Sequence, residues 1–84
     1  MEAFKALAHP GRLDVFYSLV KARNELSAGD VQIAVGLPAP TVSHHLAELR
    51  RAGLIQSRRE ERFIYYSVRA EMVTELVRVL TACC

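Results

Sequence analysis

The side chains with most chemistry to offer lie between positions 41 and 62. Thr41, Ser43 and His44 are hydrogen-bonding groups in the first half of the stretch Thr41-Val42-Ser43-His44-His45-Leu46-Ala47-Glu48-Leu49-Arg50-Arg51. Arg50, Arg51, Arg58, Arg59 and Arg62 complete the segment and are five of the chain's 11 cations. Small polar side chains at the start of a helix and cations beyond it suit a duplex groove, where the first reach base edges and the second phosphates. An ordinary amphipathic surface helix has the same pattern, so context must decide. Catalysis finds no footing: no nucleophile–base pair and no carboxylate pair can be assembled with any spacing logic, which reads as a non-enzyme. Cys83 and Cys84 are the only cysteines. Being adjacent and terminal, they cannot form an ordinary structural crosslink within the domain, which fits a reducing, cytoplasmic location.

The elements around this segment sharpen its reading. At about 100° per residue, Val42, Leu46, Leu49 and Leu54 turn to a core, while Pro40, His44, Ala47, Glu48 and Arg51 fall on the opposite face. His45 lies on one flank, close to the core stripe. Upstream, Ser27 and Asp30 have capping-box spacing and open a short helix carrying Val31, Ala34 and Val35. Gly36 is placed to end that helix in a left-handed turn, and Pro40 suits the first turn of the next. Two helices joined by a short glycine-containing turn make a helix-turn-helix, although a plain helical hairpin looks the same. The periodicity then changes. Leu54-Ile55-Gln56-Ser57 and Phe63-Ile64-Tyr65-Tyr66-Ser67-Val68 read as strands around a charged tip, Arg58 to Arg62. A basic hairpin directly after a groove helix is a wing, and its Arg58 and Arg59 read as uncompensated cations.

Residues 1–8 read as a first helix that ends before Pro10. A second starts at Pro10, with Leu13, Phe16, Tyr17 and Val20 as its apolar stripe, and stops near Arg23-Asn24. The last helix starts at Ala70 and carries Met72, Val73, Leu76, Val77, Val79 and Leu80 over more than one face. That surplus predicts a dimer seam, with the N-terminal helix beside it. The fold expected is therefore mainly α with a small β-hairpin: a dimeric winged helix-turn-helix in the order α-α-α-α-β-β-α. At 84 residues, 51% hydrophobic and 24% charged, residues 1–84 make one ordered domain near the lower size limit for a single core. The net charge of +2 is mild, so the clustering of arginines says more than the total. With no apolar run of 18 residues and no charged-then-apolar leader, neither a membrane span nor a secretory signal is expected.

In order and spacing, several stretches resemble the ArsR/SmtB family of bacterial winged-helix repressors. They are Ala8-His9-Pro10-Gly11-Arg12-Leu13, Glu25-Leu26-Ser27-Ala28-Gly29-Asp30-Val31, Val42-Ser43-His44-His45-Leu46 through Leu49-Arg50, Ala52-Gly53-Leu54-Ile55, and Arg58-Arg59-Glu60 to Tyr65-Tyr66. The resemblance implies a homodimeric repressor that binds operator DNA when free and releases it on binding a metal ion or metalloid. Two of the family's effector sites do not carry over. Ser27 and Gly29 stand where one arsenic-sensing type has cysteines, and residues 70–84 hold Glu71 and Glu75 but no histidine for a zinc site. His9, His44 and His45 belong to a helix junction and the reading helix. Cys83-Cys84 is similar to the cysteine pair of a further arsenite-sensing branch, without that branch's third cysteine. Ala39 and Pro40 also replace the family's usual small polar residue, leaving the reading helix a backbone-only cap.

The resulting expectation is a metalloid-responsive repressor. Double-stranded operator DNA is its partner, through Thr41, Ser43, His44, Arg51, Arg58, Arg59 and Arg62, and a second copy completes a homodimer. No cofactor is needed for folding. Arsenite or antimonite is the effector, held as a metal site by Cys83 and Cys84, because soft thiolates select soft acceptors. A thiol-redox-sensing repressor and a winged-helix module that binds protein instead of DNA are the competing readings.

Overall fold

The computed structural model describes residues 9–22 and 24–82. The helix expected over residues 1–8, and Cys83 and Cys84, lie outside the described residues. The elements are α1 (Pro10–Ala22), β1 (Leu26–Ser27), α2 (Ala28–Val35), α3 (Ala39–Arg51), β2 (Ile55–Glu60), β3 (Phe63–Val68) and α4 (Ala70–Ala82). This is the expected mainly helical winged arrangement, with one strand added.

Local sequence accounts for most of the boundaries. Pro10 opens α1, where its missing N–H costs nothing. At α2 the amide of Asp30 donates to Ser27 Oγ at 3.2 Å, and the Ser27 amide donates back to Asp30 Oδ2 at 3.1 Å. Such caps stabilise a helix by about 0.5–2 kcal/mol. Gly36 ends α2 at φ 72°, where a side chain would be strained, and its N–H donates to the Gln32 carbonyl. At the start of α3, Pro38 is the cap and makes no side-chain hydrogen bond, so the cap is indeed backbone-only.

The core consists of Val15, Phe16, Leu19, Val31, Val42, Leu46, Leu49, Leu54 and Ile55, with Met72 and Val73 of α4 packed against it. Val42, Leu46 and Leu49 are the inward stripe of α3, as their spacing predicts. Truncating one of these leucines to alanine costs about 2–5 kcal/mol.

The phase of α1 differs from the expected one. Its buried residues are Arg12, Val15, Phe16, Ser18 and Leu19, whereas Leu13, Tyr17 and Val20 are exposed. Two overlapping stripes of helical period coexist in this apolar segment. The one that α2 and α3 cover is centred on Val15 and Leu19, and it accommodates Arg12 at the cost of leaving Tyr17 58% exposed.

The sheet also departs from a simple hairpin. Its order is β1-β3-β2, all antiparallel, with Leu26 opposite Tyr66 and Ser27 opposite Tyr65. A two-residue strand has no period of its own, so only its partner reveals it. In β2, pairing continues to Glu60 opposite Phe63, and the turn is reduced to Glu61-Arg62, with Glu61 at φ 56°. Arg58 and Arg59, expected in the tip, therefore lie within the strand. Their charge does not prevent pairing, because the partner residues Tyr65 and Ile64 favour extended backbone.

Candidate nucleic-acid interface

Burial of Val42, Leu46 and Leu49 determines which side of α3 meets solvent. Ser43, His44, Ala47 and Arg51 are exposed there, and Thr41 is half-buried in the first turn. At the far end, Arg51 pairs with Glu48 one turn back. Arg50 instead donates to Ser57 Oγ at 3.0 Å, fastening the helix to β2.

The wing meets this helix across a surface hollow of about 400 Å³. Ser43 forms one wall, Arg62, Phe63 and Ile64 another, and Ser27, Ala28 and Gly29 at the start of α2 a third. A helix-borne hydroxyl and a wing-tip cation, both expected from sequence, thus face one space. Side chains alternate along a strand, so directly opposed residues share a face. Arg59 is opposite Ile64 and shares the face that walls the hollow, while Arg58 is opposite Tyr65 on the other face.

Arg58 is not the uncompensated cation expected. Its Nε donates to Glu25 Oε2 at 2.6 Å, its Nη1 donates to Glu60 Oε2 at 2.7 Å, and its guanidinium lies over the Tyr65 ring, 5.1 Å from the centroid. The hydrogen bond from Arg58 holds the Glu25 carboxyl below its ordinary value, and the two carboxylates raise that of Arg58 in turn. Sequence spacing could not reveal this pairing, since Glu25 belongs to the segment before β1. Arg59 bonds a backbone carbonyl, that of Glu61. Neither Arg59 nor Arg62 has a carboxylate partner among the described residues.

A second unexpected contact supports the reading helix from behind. Arg12 is only 8% exposed, and its Nε donates to His45 Nδ1 at 3.3 Å. Desolvation lowers the His45 pKa from the usual 6.5, with the charge of Arg12 next in weight. The exposed apolar residues Phe63 and Ile64 beside Arg62 were likewise not singled out from sequence; their strand-forming character hid their exposure.

No cluster of three or more His, Cys, Asp or Glu able to hold a metal ion exists among the described residues. No helix among them is long and apolar enough to cross a membrane.

The comparisons with known proteins agree with this geometry. A family model described as a helix-turn-helix domain matches residues 7–58. The HTH-type transcriptional regulator KmtR of Mycobacterium tuberculosis is 43% identical over 77 residues, which are 92% of this chain and 58% of that protein. The crystal structure of the transcriptional repressor BigR from Xylella fastidiosa superposes with a TM-score of 0.78 at 33% identity, covering 99% of this chain and 84% of that one. A homodimeric winged helix-turn-helix DNA-binding domain from Mycobacterium bovis, described as a possible ArsR-family regulator, gives a TM-score of 0.78 at 29% identity, covering 98% and 74%. This chain spans 58% and 65% of the length of the first two curated relatives it matches. These relatives are named as regulators, not as enzymes. The chain belongs to the ArsR/SmtB-type helix-turn-helix family of transcriptional regulators.

Proposed function

We propose that this chain is the DNA-binding part of a homodimeric transcriptional repressor. The observation that carries the reading is the shared hollow: Ser43 on the reading helix and Arg62 on the wing converge on one space, beside the exposed His44. Thr41, Ser43 and His44 are the base-reading candidates, and Arg51, Arg59 and Arg62 the phosphate candidates. Arg58, a candidate from sequence, serves the wing through Glu25 instead. The homodimeric Mycobacterium bovis domain supports pairing of two copies. So do the exposed Leu13 and Tyr17 of α1 and Val77 of α4, which are apolar surface suited to a second copy.

In the finer reading, arsenite or antimonite binds Cys83 and Cys84, which directly follow α4, and releases the DNA. Two thiolates supply two of the three sulfurs that trigonal arsenite takes, and a small thiol or the partner copy supplies the third.

Electrophoretic mobility shift on the DNA upstream of its own gene, with sedimentation in parallel, tests the reading. A dimer at micromolar concentration bound to a roughly palindromic site, with half-sites about one helical turn (~34 Å) apart, is the expected result. A monomer that ignores this DNA refutes it.

A further inference from the structure

We infer that His45 is a positioning residue for DNA recognition: only its neutral ring seats the reading helix on the buried Arg12, so operator affinity falls on acidification. The inference rests on the DNA-binding reading above and adds a proton to its regulation.

Arg12 is the one charged side chain among the described residues' buried set. A guanidinium is always charged and carries donors alone, so a buried one requires acceptors. No carboxylate is paired with it among the described residues. The acceptor it has is His45 Nδ1, at 3.3 Å, across the contact between α1 and α3. That bond places the neutral ring's proton on Nε2. Nε2 in turn lies against the start of α1, 3.1 Å from where a side chain at Gly11 would begin. The ring therefore sits between the Gly11 backbone, where an added side chain would crowd it, and the guanidinium.

A proton on Nδ1 removes the acceptor and sets two cations at hydrogen-bond distance. The other groups acting on the ring are His44, in contact at 5.9 Å between ring centroids, and His9, just before α1; both add to the penalty when charged. Glu48, one turn along α3, is engaged by Arg51. A histidine held below its usual 6.5 contributes stability that is complete above that value and is lost as the pH falls through and below it. The half-buried ring has access to solvent protons, and what loosens is the seat of the helix that carries Ser43 and His44.

The exposed His44 is a second imidazole, standing on the DNA face itself. The experiment therefore uses a His44→Gln background. Affinity for the duplex upstream of its own gene is measured from about pH 7.5 to about pH 5.5 at constant ionic strength, with His45 intact and as His45→Gln. With His45 intact, affinity is expected to fall several-fold. In His45→Gln the amide oxygen accepts from Arg12 without titrating, and the fall disappears. The histidine ring signals of the parent are followed by NMR over the same range, where His45 is expected to titrate below 6.5. A fall that persists in His45→Gln, or a His45 signal titrating at or above the usual value, overturns the inference. The NMR titration decides it even if the variant does not fold. A parent chain, with His44 intact, that binds no DNA at any pH overturns the functional reading instead, while the titration still decides the Arg12–His45 contact.

Discussion

Arg58 reaches from β2 across β3 to Glu25, and the 2.6 Å ion pair joins the wing to the segment that enters the helix-turn-helix. Tyr65, directly opposite Arg58 in the ladder, supports the guanidinium from beneath. In the proposed reading Arg58 holds the wing, and Arg59 and Arg62, which have no carboxylate partner among the described residues, are the wing's phosphate candidates. Replacing Arg59 or Arg62 by glutamine is expected to weaken binding to all sequences alike, lowering the salt slope by roughly one unit per lost phosphate contact. Arg58→Gln and Glu25→Gln are expected to weaken binding with the salt slope nearly unchanged. Filter binding over a salt series separates the two groups, and a slope change of one unit in Arg58→Gln with none in Arg62→Gln refutes the division. Acid has a related effect. Arg58 holds the Glu25 carboxyl below its ordinary 4.5, so the pairing contributes fully above that value and is lost only as the pH falls through the lowered value beneath it.

Base reading is expected to reside on α3. Ser43→Ala or His44→Ala should cost about 1–3 kcal/mol on the operator and relax base preference, while binding to mixed-sequence DNA changes little. Both side chains are exposed, so folding is unaffected and the melting temperature should stay near that of the parent. Competition binding against single-base operator variants measures the effect. Equal losses on operator and mixed DNA would assign these residues to the backbone instead.

The cysteine pair makes a separate prediction. Cys83 and Cys84 follow directly on α4 in the sequence, so holding one arsenic atom with both sulfurs is expected to bear on the end of that helix. A coupling of roughly 1–3 kcal/mol, typical of allosteric sites, would weaken operator binding about 5- to 150-fold. Each As–S bond replaces an As–OH bond of neutral arsenous acid, and the thiol proton leaves with the hydroxide as water, so binding releases water and no net proton. Operator titration with and without arsenite, for the parent, Cys83→Ser and Cys84→Ser, is the check. Serine variants that still release DNA on arsenite addition would place the sensor elsewhere; release by peroxide but not arsenite would make it a redox sensor.

Much of the fold was legible in short stretches of sequence. The Ser27–Asp30 box, the Gly36 turn, the Pro10 start and the Val42-Leu46-Leu49 stripe each act within one or two helical turns, where backbone geometry alone relates position to direction. The exposed reading face followed from that stripe by elimination. Other features depended on which element arrived opposite which. α1 has two possible apolar faces, and the packing of α2 and α3 chose the one with Val15 and Leu19. β1 exists because Tyr65 and Tyr66 offer it a ladder. The two contacts that refine the candidate interface, Arg12 with His45 and Arg58 with Glu25, each join residues 33 positions apart. Periodicity carries no information over that distance. A charge finds its partner only once chain closure has brought their elements together, and so the sequence marked the candidate groups for DNA, while tertiary structure decided which of them have a carboxylate partner.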